Sequence, residues 1–187
     1  MGAGFSTSMA AGCGGLPYGV GRLLAGLAFC LGLILVVVAG AELFTGNNLI
    51  VIAWASRRVS TVMLLRNWAL VYAGNLVGSV VTAVLMLISR QYYNGSSSVG
   101  KVALRIAEGK CSLGFVQALT LGIFCNALVC IAVWLTMGGH STTDKILAIL
   151  FPISAFVACG FEHSVANMYF IPMGLLIKGD AGFLTAV

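Results

Sequence analysis

Charge is what this sequence has least of. Only 8% of its 187 residues are Asp, Glu, Lys or Arg, against roughly a quarter in an ordinary soluble domain. Acidic residues number five and histidines two. So little polar material cannot cover a soluble fold of this size, because too much of any small fold faces water. That excludes a soluble globular enzyme and a disordered chain. A nucleic-acid binder is excluded too: the formal charge is only +5 and the basic residues stand between apolar runs, as flanking charge at membrane interfaces does.

Other absences narrow the field further. The six cysteines, Cys13, Cys30, Cys111, Cys125, Cys130 and Cys159, contain no C-x-x-C pair, and no histidine stands at zinc-finger spacing. Cys30, Cys125, Cys130 and Cys159 lie in apolar runs, where a thiol acts as a small packing group. H-E-x-x-H, G-x-S-x-G and the Walker A pattern are all missing. No metal, cofactor or enzymatic activity is expected. Residues Met1 to Gly15 are rich in Gly, Ala and Ser but lack a basic n-region, which argues against a cleaved signal peptide. The stretch reads as the end of a membrane helix, and the chain stops at Val187 without a basic tail, so both ends look cut.

What is present is apolar. Sixty per cent of residues are hydrophobic and the mean hydropathy is +1.05. Lipid is therefore the expected solvent. A helix needs ~20 apolar residues to span a bilayer, and full runs lie at about Leu23 to Ala41, Trp68 to Ile88 and Phe115 to Met137. A fourth runs from Ile146 to Cys159, breaks at Gly160, and resumes as Val165 to Ile177. The short piece Leu49 to Ala55 reads as the second half of a helix interrupted after Ala41. No strict alternation of a barrel strand occurs, so the fold class is an all-α membrane bundle, one channel domain over 1–187. Asn94 to Ser98 forms a turn, Val99 to Ala107 a candidate interfacial helix, and Ser141 to Thr143 candidate caps. Gly74-Asn75-Leu76-Val77-Gly78 carries a small-x-x-x-small pair that predicts close helix packing.

The two interruptions share a pattern. Gly40-Ala41-Glu42 followed by Asn47, and Gly160-Phe161-Glu162 followed by Asn167, both read G-x-E-x-x-x-x-N. The second copy lies three crossings after the first and so runs the opposite way, the signature of an inverted repeat. Broken backbone at membrane depth is tolerated only against protein or a cavity. Glu42 and Glu162 either act as proton relays or, in the preferred reading, hold these breaks by accepting N–H bonds from the segment that follows, as carboxylates do at helix N-termini. His163 is the sharpest functional candidate. It is an ionisable group mid-membrane, and imidazole gives and takes protons near neutral pH. Thr45 and Asn126 are polar side chains in apolar surroundings, able to bond into a pore or to a neighbouring helix. Phe29, Leu33 and Phe156 matter if they form hydrophobic constrictions. Lys110, at the mouth of the third run, either attracts anions or snorkels.

Three motifs together resemble the formate/nitrite transporter family, and its formate channel branch most of all. They are Ala39-Gly40-Ala41-Glu42-Leu43-Phe44-Thr45-Gly46, the run Gly122 to Ala132 around Asn126, and Gly160-Phe161-Glu162-His163-Ser164-Val165-Ala166-Asn167-Met168. The resemblance extends from about Leu16 to Pro172. It implies an aquaporin-like fold of six spans, of which this chain carries about five, assembled as a homopentamer in a bacterial inner membrane. It further implies that His163 is the central pore histidine, that Thr45 lies in the loop interrupting the second helix, and that Leu33 forms the cytoplasmic constriction. Phe29 and Phe156 then line the constrictions, and Asn126 and Lys110 belong to the substrate path and its mouth. The family carries small monovalent anions or their acids: formate, nitrite or hydrosulfide. Arg57, Arg58 and Arg66 fall on the cytoplasmic side by resemblance, although the count of basic residues alone favours the opposite face.

The resulting expectation is a pore in which a weak acid is protonated between two apolar constrictions with the help of His163, and crosses neutral. Two rivals are a neutral-solute pore of aquaporin type, although neither Asn47 nor Asn167 precedes a proline, and a non-transporting membrane subunit.

Overall fold

The computed structural model describes residues 1–185. Among the described residues there are helices and no strand: α1 (Gly2–Gly12), α2 (Tyr18–Ala39), α3 (Phe44–Asn47), α4 (Ile50–Ala55), α5 (Thr61–Ile88), a 3-10 turn (Gln91–Tyr93), α6 (Ser98–Cys111), α7 (Phe115–Met137), α8 (Thr142–Cys159), α9 (Ser164–Lys178) and α10 (Ala181–Thr185). Of these, α2, α5, α7 and α8 are long and apolar enough to cross a membrane.

α2 starts at Tyr18, ahead of the run expected from Leu23, with Pro17 before it and no side-chain cap, whereas α5 and α8 start early because a polar cap acts. α5 opens at Thr61, well before Trp68, because the Ser60 hydroxyl accepts from Met63 N at 3.3 Å and carries Arg66 and Asn67 into the helix. α8 opens at Thr142 for the same reason. Ser141 Oγ accepts from Asp144 N at 3.1 Å and Asp144 Oδ2 accepts from Ser141 N at 2.9 Å, a capping box. The candidate interfacial helix is α6, longer at both ends than expected. It packs on α9 and α1 through a face that buries Val99, Gly100, Ala103 and Ala107.

The central pairing is α2 against α8, and it is antiparallel. Arg22 bonds to Val157, the Gly26 Cα faces the Ser154 backbone, and Cys30 Sγ reaches Leu150 O at 3.6 Å. Residue numbers ascend on one helix as they descend on the other. This is the inverted repeat expected from the two G-x-E breaks. Around the pair, Leu33, Cys125, Val129, Ala132, Ile149, Ile153 and Phe156 form one apolar core. A second core gathers Ala83, Tyr92, Ala103, Tyr169, Met173, Ile177 and Phe183 where α9 meets α5 and α6. Elsewhere the apolar side chains point out. α5 buries only Leu64 and Ala83 and exposes Val62, Leu70, Val77, Leu85 and Ile88, the distribution a lipid solvent favours.

One packing expectation is corrected. A Cβ at Gly74 or Gly78 would meet nothing within 4 Å. The small-x-x-x-small pair is therefore not used for helix packing within this chain.

The far end of α9 is tied down by Asp180. Its carboxylate accepts from Tyr92 Oη at 2.5 Å and Tyr93 Oη at 3.3 Å, and from the N–H groups of Gly182 and Phe183 at 3.0 and 3.3 Å. Burial first, then the hydrogen bond to Asp180 and its charge, push the Tyr92 hydroxyl up to about 12. The Tyr92 bond in turn leads the interactions that hold the Asp180 carboxyl below the ordinary carboxylate range.

Candidate functional site

The site is built on two helix breaks with one backbone solution. α2 ends at Gly40 (φ 74, ψ 29) and α8 at Gly160 (φ 74, ψ 27). Only glycine enters this left-handed region without cost. Each turn is closed by the same bond, Ala41 N to Val36 O and Phe161 N to Phe156 O, both 3.0 Å. Leu43 (φ −127, ψ 120) and His163 (φ −110, ψ 111) then extend the chain before α3 and α9 begin. The two residues occupy equivalent places.

The role expected for the carboxylates needs correction. Glu42 and Glu162 do not accept backbone N–H groups from the restarting helices. Each instead accepts the side-chain amide of the asparagine five residues on: Asn47 Nδ2 bonds Glu42, and Asn167 Nδ2 bonds Glu162 Oε2 at 2.8 Å. The physical reason is geometric. The extended residue at 43 or 163 carries the chain away from the carboxylate before the first free N–H appears. Asn47 also bonds Asn67 Oδ1 at 3.0 Å, and its carbonyl accepts from Trp68 Nε1 at 3.1 Å.

The main-chain groups of the first break are held by a residue whose role no local motif announces. Asn75 Oδ1 accepts from Phe44 N at 2.9 Å and Asn75 Nδ2 donates to Glu42 O at 3.0 Å. One side chain on α5 thus satisfies a donor and an acceptor freed by the break. Its signal was an asparagine inside an apolar run, hidden by the more familiar glycine pair around it. At the second break Glu162 N reaches Leu121 O on α7 at 3.4 Å.

His163 is 6% exposed and caps α9. Its Nδ1 accepts from Ala166 N at 3.1 Å. A neutral imidazole with Nδ1 so committed carries its proton on Nε2. That nitrogen lies 3.3 Å from Thr45 Oγ1, from the other break, so Nε2–H is the donor and the hydroxyl oxygen the acceptor. Phe29 and Phe156 pack edge to face, with centroids 5.3 Å apart, and stand 6.0 and 5.6 Å from the imidazole.

Three cavities meet at His163. The first, about 220 Å³, holds Arg22, Lys110, Glu162, Phe29 and Phe156. The second, about 210 Å³, is lined by Phe29, Phe156, Leu33, Leu43 and Val129. Both phenyl rings line both cavities, so the phenyl pair separates them. Leu33, 3% exposed, stands one helical turn past Phe29 on the second side only. The third, about 510 Å³, contains Thr45, Cys125, Asn126 and Glu162. Asn126 Oδ1 is buried there without a hydrogen-bond partner, while Cys130 Sγ lies 3.8 Å from Asn126 Nδ2 and donates to Thr45 O at 3.5 Å.

The structure therefore brings His163, Thr45, Asn126, Phe29, Phe156 and Leu33 around one junction. Lys110 lies in the first cavity, but its charge is already answered. Its Nζ is 2.9 and 2.8 Å from the two Glu162 oxygens and 5.4 Å from the Phe170 centroid. No group of three or more metal-ligating side chains occurs among the described residues.

An apolar helical bundle in which two antiparallel broken helices place polar groups between cavities defines a multi-pass membrane protein of the inverted-repeat channel and transporter class. The family model described as Formate/nitrite transporter matches residues 1–187, and the chain belongs to that family. It is 44% identical to the formate channel FocA of Escherichia coli K12 over 185 residues, 98% of this chain and 65% of that protein. It is 41% identical to the formate channel FocA of Haemophilus influenzae over 92% of this chain and 61% of the relative. The chain thus spans less than two thirds of the length of these curated relatives. Among solved structures, a pentameric formate channel with formate bound superposes with a TM-score of 0.88 at 42% identity, covering 99% of this chain and 75% of that one. These relatives are formate channels.

Proposed function

We propose that this chain forms a pore for small monovalent anions, formate foremost, with nitrite and hydrosulfide as the related cargo. The observation that carries the proposal is the Nε2–H of His163, aimed at Thr45 where the cavities meet and flanked by the phenyl pair. A bare charge is costly at membrane depth, and apolar side chains at a constriction restore that cost. An anion that reaches the junction accepts a hydrogen bond from Nε2–H, with the Thr45 hydroxyl and the Asn126 side chain orienting it. Because Nδ1 is committed to Ala166 N, the imidazole holds the anion without giving up its own proton. The proton the anion takes comes from bulk hydronium, relayed through water at the junction, and leaves neutral water behind. The neutral acid then passes the apolar residues. Phe29 with Phe156 and Leu33 act as the two constrictions, and the Glu42–Asn47 and Glu162–Asn167 pairs keep the breaks in shape.

The relatives named above, formate channels and one pentameric structure, support formate as cargo and a homopentamer; the reading places that pentamer in a bacterial inner membrane. The test is uptake into liposomes of formate, nitrite and hydrosulfide at pH 5 and pH 7, for the protein and for His163→Asn. The expected result is uptake whose pH dependence and anion-to-acid ratio change with the substitution. Identical profiles for the two proteins would sink the role of His163, and water uptake without anion uptake would point to a neutral-solute pore.

A further inference from the structure

The first cavity carries more charge than the lysine at its mouth explains. Two cations line it, Arg22 and Lys110, with one carboxylate, Glu162, and the imidazole of His163. Lys110 engages both Glu162 oxygens, and theirs is the only ion pair among the described residues. Those two charges cancel at contact distance. Arg22 has no carboxylate. Its Nη2 donates to the Val157 carbonyl near the end of α8, and its Nε is buried without any partner. The partial negative charge of a helix C-terminus, about half an elementary charge, offsets part of the guanidinium charge and leaves the chamber net positive. The phenyl pair lines the chamber on its inner side, where an uncompensated cation is screened less than in bulk water.

We propose that Arg22, rather than Lys110, holds a small monovalent carboxylate in this chamber, as an anion subsite ahead of the phenyl pair. The proposal rests on the anion-pore reading above and names the residue that gathers the cargo. The guanidinium is suited to this by its shape. Its planar donors match the two oxygens of a carboxylate, and one donor stays on Val157 O while the free edge binds. A cavity of about 220 Å³ is several times the ~30 Å³ share of one liquid water, which leaves room for formate and a water beside it. Lys110 then serves the frame instead, since with Glu162 and Asn167 it braces the second break.

The test separates this role from simple capping of α8. 13C-formate is titrated onto the detergent-solubilised protein and followed by line broadening, alongside the concentration dependence of formate uptake into liposomes. Arg22→Gln keeps an amide donor for Val157 O and removes the charge. The expected outcome is about tenfold weaker formate binding, with a matching rise in half-saturating formate and a smaller fall in maximal uptake. Arg22→Lys, which keeps the charge but not the planar fork, restores only part of the affinity. If Arg22→Gln binds formate as tightly as the parent, or lowers only maximal uptake, Arg22 is a helix cap and the proposal fails. Absence of formate binding by the parent protein also overturns it. Arg22-dependent binding without uptake would keep the subsite and overturn the pore reading instead.

Discussion

Two glycines on one helix make opposite forecasts. At Gly26 an added Cβ would lie 2.8 Å from Ser154 O and 3.0 Å from Ser154 Cα, both backbone atoms of α8. At Gly32 the nearest neighbour would be Gly2 Cα at 3.5 Å, an ordinary contact. Both substitutions to alanine gain the same helix propensity, ~1 kcal/mol. Only Gly26→Ala must also push α2 and α8 apart, by about 0.5 Å to regain normal contact. Backbone cannot swing aside as a side chain can, so the overpacking cost is ~1–3 kcal/mol. Because propensity cancels between the variants, that cost is the expected difference between them. At ~2–4 °C per kcal/mol for a chain of this length, Gly26→Ala should melt about 2–12 °C below Gly32→Ala. The assay is the thermal midpoint of each variant in the same detergent, followed by size-exclusion recovery. Wider separation also moves Phe29 from Phe156, now 5.3 Å apart, so Gly26→Ala should alter formate uptake as well. A Gly26→Ala midpoint equal to or above that of Gly32→Ala would refute the close α2–α8 approach.

Two further predictions concern single anchors. Asn75→Ala should free Phe44 N and Glu42 O and cost ~1–3 kcal/mol, seen as faster hydrogen exchange confined to the first break around residues 42–47; unchanged protection there would show that Asn75 is not the brace. At the Asp180 tie the sign follows from the two shifts. A depressed carboxyl adds stability above the ordinary carboxylate range and loses it as pH falls through the folded value. A tyrosine raised from 10.0 to about 12 adds stability that is full below pH 10 and is lost as pH climbs towards 12. The stability gap between the parent and Tyr92→Phe should therefore be widest between about pH 5 and 9 and close at both extremes; a gap independent of pH would contradict the tie.

Much of the architecture was legible because lipid reduces the problem to apolar length and interruption. Phe115 to Met137 matches α7 at both ends, since nothing polar extends the helix. α5 and α8 began earlier than their apolar runs because Ser60 and the Ser141–Asp144 box supply caps that hydropathy does not register. The repeat was visible because glutamate is rare enough in this chain for two matching breaks to stand out. The bonding inside the breaks was less visible. Carboxylate to backbone was the natural expectation, whereas each carboxylate took the amide of an asparagine already present in the same motif. Asn75 and Arg22 escaped for a different reason. Each acts across the fold, Asn75 on a break 31 residues away and Arg22 on a helix end 135 residues away, and no local spacing encodes such reach.

The paired breaks also divide labour between a frame and its occupant. A left-handed glycine, one closing bond and a carboxylate–asparagine clasp recur at both, yet the extended residue between them is leucine at 43 and histidine at 163. The backbone needs an extended residue there and leaves its chemistry open. Position 43 is thus a ready-made socket, already braced by Asn75 and facing the cavity that Phe29 and Phe156 share with Leu33. A duplicated scaffold of this kind can change the chemistry of one half while the other keeps the membrane seal, and a designer seeking a second imidazole need not build a new loop to hold it.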